Sequence, residues 1–242
     1  MSSEKERIAK KQATEFRLRQ GIGPQDPIRF QSFLVRLKIL AVFRPLSDNF
    51  SGMSIRQENF QFMLINCAQS LGRQNFSVAH ELYHLFVEPN NDEYHVCMQT
   101  QISTETERKA DRFASQLLLP DAGILSMIPE EELKVNSIAL PTVLKLEQFY
   151  FSSRHALAIR LRNLGLIDAR KQDELMQDVK RGARSFGFDC ALYEPSHPCV
   201  IGDYAELANQ LYSNGKMSES HFMQLMMDIG VDVFSMDNDD RL

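Results

Sequence analysis

Residues His80-Glu-Leu-Tyr-His84 form an HExxH pentad inside the apolar run from Phe76 to Phe86, and this pentad restricts the chain's fold and chemistry most tightly. At 3.6 residues per turn, two histidines four positions apart lie on the same helical face, so both imidazoles can reach one cation. Glu81 sits beside the first of them. From there its carboxylate can take a proton from an attacking water and return it to a leaving amine, the general-base role that the pattern implies. The expected chemistry is amide hydrolysis. A buried helix whose histidines merely bond to backbone or carboxylates is the bland alternative, and it does not explain a correctly spaced pair flanking a glutamate.

A catalytic zinc site takes three protein ligands and keeps a position for water, so a third ligand is expected downstream. Metzincins place a third histidine six residues after the second, and that position is Asn90, which excludes the class. The segment from Glu105 to Pro120 offers a carboxylate instead. Its Ala110, Phe113, Ala114, Leu117 and Leu118 recur at helical spacing, and Pro120 is a stop. Glu107 and Asp111 share one face of that helix. Glu107 is the expected third ligand, and Asp111 the expected acceptor of the second ring N–H of a ligating histidine. Glu105 falls on a different face from Asp111 and ranks lower. His95 is a weaker rival, because Tyr94 to Met98 looks like a short strand or loop. Tyr83, Tyr94 and His95 are the candidate donors to an oxyanion, with nothing to choose between them. The metal itself stays open between zinc, which two histidines and a glutamate suit, and manganese or iron, which they tolerate.

A hydrophobic content of 43% with no long apolar run describes a chain able to bury a core, with no membrane span expected. Residues 1–20 are charged, with helical spacing and no apolar signal region, so a cytoplasmic location is expected. Cys67, Cys97, Cys190 and Cys199 are scattered without a CxxC pair, which favours free thiols; Cys190 and Cys199 with His197 lack a fourth group for a structural metal. The net charge is −5, which argues against nucleic acid as the main ligand. Residues 143–162 nevertheless have the outline of a helix-turn-helix, with Ser152 or Ser153 as a cap and Arg154, Arg160 and Arg162 on the second helix. Three arginines alone do not make a groove reader.

The expected fold class is α+β: a zincin-like catalytic core with a small sheet beneath the motif helix, then a mostly helical C-terminal region. Residues 1–27 read as a polar, mobile N-terminal helix, 28–125 as the metallopeptidase domain, 126–180 as the helix-turn-helix-like region and 181–242 as a helical extension. Strands are expected at 53–55 and 61–66, and loops at 182–187 and 195–198. Helices are expected at 204–212 and 218–228, the second capped by Ser218. Met217, Met223, Met226 and Met227 cluster there, best explained by core filling, and the tail from Ser235 is expected to lack order.

The pairing of Phe76-Ser-Val-Ala-His-Glu-Leu-Tyr-His84 with Glu107-xx-Ala-Asp-x-Phe-Ala-xx-Leu-Leu-x-Pro120 resembles the ImmA/IrrE family of metallopeptidases. Met63-Leu-Ile-Asn66 upstream and Phe149 to Ile167 downstream extend the resemblance over about residues 28–167. It implies His80, His84 and Glu107 as ligands and Glu81 as base. It also implies a substrate: a helix-turn-helix repressor of the Xre type, cut to release silenced genes in stress responses or mobile elements. Tyr83 departs from the pattern, which usually has glycine there, and that departure bears on the cleft wall and substrate preference. The alternative is a module that sequesters a regulator without cutting it. Oligomeric state, inducing signal and cleavage site are not written in the sequence.

Overall fold

Strands β1 (Leu40–Arg44), β2 (Phe50–Gln57), β3 (Phe60–Asn66), β4 (Tyr94–Met98) and β5 (Cys199–Ile201) form one mixed sheet in the order β4-β2-β3-β1-β5. The computed structural model describes residues 4–58, 60–89, 94–98, 104–135 and 137–230, with only the backbone of 94–98. β1 runs parallel to β3, and the other pairings are antiparallel. Side chains alternate across a pleated strand. Ala41, Phe43, Ser54, Met63 and Ile65 are accordingly buried on one face, which carries helix α3 (Leu71–Phe86). Leu40, Val42, Met53, Ile55, Phe62 and Leu64 fall on the opposite face and are only half-buried. The chain is thus α+β with the sheet beneath the motif helix, as expected.

Helix α4 (Glu105–Leu118) packs along α3, burying the Ala110, Phe113, Ala114, Leu117 and Leu118 stripe. Thr104 caps it, its hydroxyl accepting from the Glu107 N–H at 3.2 Å. Helix α1 (Glu4–Arg19) is the polar helix expected, but it packs against α4 instead of standing free. Its stripe of Ala9, Ala13, Phe16 and Arg17 is buried, and the Phe16 ring meets Phe33, Phe86 and Phe113. The Arg17 guanidinium donates to Leu117 O at 2.6 Å, Gly23 O at 2.7 Å and Asp26 O. A low overall hydrophobicity conceals this stripe, because small alanines and one arginine supply most of it. Helix α2 (Phe30–Arg36) leads into β1.

Helices α5 (Asp121–Met127) and α6 (Glu130–Val135) lead into α7 (Leu140–Tyr150) and α8 (Arg154–Asn163). α5 buries Gly123 and Ile124. Phe151 turns the chain in the left-handed conformation, and Ser153 caps α8 by accepting from Ala156 N–H at 3.2 Å. Two of the three α8 arginines point inward. Arg154 is held by Glu147 at 2.6 and 2.7 Å, while Arg160 bonds Asp121 and, at 3.2 Å, Leu119 O. Both guanidinia are 3% exposed, so they brace the helix pair rather than face a duplex.

Beyond α9 (Ala169–Leu175) and α10 (Val179–Ser185), the expected loop at 195–198 runs into a strand that sequence reading missed. Glu194 O accepts the Leu71 N–H at 2.8 Å, one of the donors that a helix start leaves unsatisfied. Ser196 Oγ donates to Gln74 Oε1 at 2.7 Å, and β5 then joins β1. The extension therefore completes the sheet and secures the beginning of α3. Helices α11 (Tyr204–Ser213) and α12 (Glu219–Asp228) follow as expected, with Ser218 capping α12 through His221 N–H at 3.3 Å. Met226 and Ala208 are buried between them, and Met227 is exposed. Cys67, Cys190 and Cys199 are free thiols. The Cys97 side chain and the tail from Ser235 lie outside the described residues. Among the described residues, no helix is long and apolar enough to cross a membrane.

Candidate metal centre

α3 carries His80 and His84 on one face because their spacing matches the helical turn, and its tight packing on α4 brings Glu107 to them. The ligand atoms of His80, His84 and Glu107 all lie within 4.8 Å of one another. His80 Nε2 is 3.2 Å from Glu107 Oε2, and His84 Nε2 is 3.7 Å from Glu107 Oε1. Both histidines are buried, and the Glu107 side chain keeps 21% exposure.

Carboxylates fix the ring orientations. His80 Nδ1 lies 2.9 Å from Asp111 Oδ1, and His84 Nδ1 lies 2.7 Å from Glu88 Oε2. A neutral imidazole donating from Nδ1 presents its Nε2 lone pair on the other side. The two Nε2 atoms are 3.2 Å apart. Two lone pairs and a carboxylate crowded together repel unless positive charge lies among them, so this donor set fits a divalent cation. Nitrogen and oxygen donors of this kind suit zinc and also accept manganese or iron.

Glu81 occupies the next position of α3, is fully buried, and accepts from Ser54 Oγ at 2.7 Å. Gly52 leaves room for it: a Cβ there would stand 3.3 Å from Glu81 Oε1 and 3.2 Å from Leu64 O. Neither Ser54 nor Glu88 was singled out from sequence. Glu88 had a readable signal, since it lies one helical turn beyond His84. Ser54 had none, because its link to Glu81 depends on sheet register.

The remaining candidates go elsewhere. Glu105 turns to Lys5 at 3.0 Å, which holds its carboxyl below the usual range, and so it ties α4 to α1. Tyr83 is 2% exposed, with its ring 5.6 Å from that of Phe113. It therefore fills the core between α3 and α4, which corrects its reading as an oxyanion donor and part of the cleft wall. Burial, followed by the nearby Glu88, raises its phenol pKa. The backbone register places His95 opposite Ser54 and Tyr94 opposite Ile55; their side chains lie outside the described residues.

Two imidazoles and a carboxylate converging from facing helices, beside a second buried carboxylate, define the class of metal-dependent hydrolases. The family model of peptidase M78, the IrrE N-terminal-like domain, matches residues 36–162, more than half of the chain, and the protein belongs to that family. Membership carries a metallopeptidase-type function. No curated protein matches the chain.

Proposed function

We propose that the protein is a zinc-dependent endopeptidase that cleaves a helix-turn-helix repressor of the Xre type in the cytoplasm. The convergence of His80, His84 and Glu107 within 4.8 Å beside the buried Glu81 carries this reading. His80, His84 and Glu107 would hold the cation. When bound, it supplies Lewis acidity, polarising a scissile carbonyl and letting water lose a proton near neutral pH. Glu81 takes that proton and delivers it to the leaving amine nitrogen, and Ser54 keeps the carboxylate aimed. Asp111 and Glu88 hold the two rings in the tautomer that binds metal. The repressor as substrate rests on the family resemblance, and the acidic net charge and inward-facing α8 arginines accord with a protein rather than a nucleic-acid target.

The test is Glu81→Gln assayed against a helix-turn-helix repressor of the Xre type. Cleavage is expected to fall about 10²- to 10⁴-fold, with zinc content and repressor binding retained. Release of repression that persists unchanged in this variant would overturn the protease reading in favour of sequestration.

A further inference from the structure

The hairpin of α11 and α12 repeats the hairpin of α8 and α9 at a constant spacing along the chain. Leu157, Ala158, Leu161, Gly165 and Leu175 of the first recur as Leu207, Ala208, Leu211, Gly215 and Leu225 of the second. The two turns close alike. Leu166 N–H donates to Leu161 O and Lys216 N–H to Leu211 O, each at 2.9 Å, while Gly165 and Gly215 take positive φ values of 72° and 65°. Asp168 and Ser218 then cap the second helices by accepting from Lys171 N–H at 2.7 Å and His221 N–H at 3.3 Å.

One difference separates the two copies. In the first, Leu157 and Leu161 are wholly withdrawn from water in the main apolar core, and α7 packs on α8. In the second, Leu207 and Leu211 are 49% and 42% exposed, and Leu225 is half-buried. The i, i+4 spacing puts both exposed leucines on one face of α11. The face that receives a neighbouring helix in one hairpin is therefore open to solvent in the other, among the described residues. Paired apolar side chains on such a helix face mark an interaction surface.

Charge specifies the partner. Residues 203–230 carry Asp203, Glu206, Glu219 and Asp228 against one lysine, Lys216. Asp203 lies one turn before Leu207, Glu206 borders it, and neither forms an ion pair among the described residues. Two copies of this chain would set acid against acid. The face suits a helix whose apolar stripe is edged with lysine or arginine.

We propose that the Leu207 and Leu211 face of the α11–α12 hairpin docks an amphipathic helix with a basic margin on a partner protein. The hairpin lies outside residues 36–162, which the family model matches, and Arg44 ties it to β1 by donating to Asp228 O. It supplies no ligand to the metal centre, so docking is a step separate from hydrolysis.

The test selects helical peptides on the full-length protein from a displayed library in which lysine, glutamate and glutamine vary around a leucine stripe. Lysine-edged peptides are expected to be enriched. In fluorescence anisotropy such a peptide should bind about 10-fold or more tightly than its glutamate-edged counterpart, and the double variant Leu207→Ser, Leu211→Ser should weaken it about 10-fold or more. Circular dichroism and metal content of that variant should match the parent, since both side chains face solvent. No enrichment, enrichment without regard to charge, or binding that the double variant leaves intact would overturn the proposal. A dimer in sedimentation equilibrium that dissociates in the double variant would overturn it too, and would assign the face to self-association.

Discussion

Asp111 Oδ1 accepts a hydrogen bond from His80 Nδ1 at 2.9 Å across the gap between α3 and α4. The bond joins two elements that approach the site from different parts of the chain, and it fixes the side of the imidazole that is left for a cation. Partners of this type hold ring orientation and raise ligand basicity. Asp111→Ala should therefore weaken zinc binding about 10- to 100-fold, measured by competition with a chromogenic chelator. Circular dichroism should be unchanged, since the Asp111 side chain is 54% exposed.

In the proposed mechanism Ser54 acts on Glu81, the proton carrier, and not on the ligands. Its hydroxyl donates to Glu81 Oε2 at 2.7 Å inside the protein. Hydrogen bonds to charged groups contribute about 1.5–3 kcal/mol, so Ser54→Ala should slow peptide cleavage roughly 10- to 100-fold by that energy. Zinc stoichiometry should remain that of the parent. A simultaneous loss of metal would show that the serine supports the ligands instead.

Glu147 and Arg154 form a pair within α7 and α8 that is almost wholly withdrawn from water, at 0% and 3% exposure. Removing one partner strands the other charge in the interior, which costs about 3–5 kcal/mol. Arg154→Ala should lower unfolding stability by that amount in urea titrations. Replacing both members by well-packed apolar residues should recover most of the loss.

Tyr193 reaches the same pair, its hydroxyl donating to Glu147. Burial first and the Glu147 carboxylate second raise its pKa far above the ordinary 10.0. The folded chain then keeps a proton that the unfolded chain releases, so the unfolded state binds fewer protons and stability falls as pH rises. The contribution is whole below about pH 10 and fades above it. Tyr193→Phe should give a shallower alkaline limb in stability measured between neutral and strongly alkaline pH, with Tyr83 and Tyr150, also raised by burial, accounting for what remains.

The parts of this site that were legible in the sequence are those governed by helical periodicity. His80 and His84 share a face because of their spacing, and Glu107 with Asp111 repeats that relation on α4, so both helices announced their chemistry before any tertiary structure. Ser54 and Gly52 were silent because their meaning arises from β2 lying beneath α3. Tyr83 misled for a related reason: its place next to a ligand suggested the cleft, yet successive helical residues point about a quarter-turn apart, and its direction led to Phe113. α1 was misjudged because its buried stripe consists of Ala9, Ala13 and Arg17 around a single aromatic ring. β5 was missed because a three-residue edge strand between prolines and glycine carries too little alternation to register.

The hydrogen bond from Leu71 N–H to Glu194 O bears on how the molecule is made. Domains generally assemble as they emerge from the ribosome, amino end first. A nascent chain that has reached residue 162 already carries His80, His84 and Glu107, the proposed ligands, but it lacks the acceptor for Leu71 and the fifth strand. Synthesis must run some thirty residues further before the helix that bears both imidazoles is anchored at its start. Assembly of the proposed centre is thereby tied to translation of a region that, among the described residues, supplies none of its ligands.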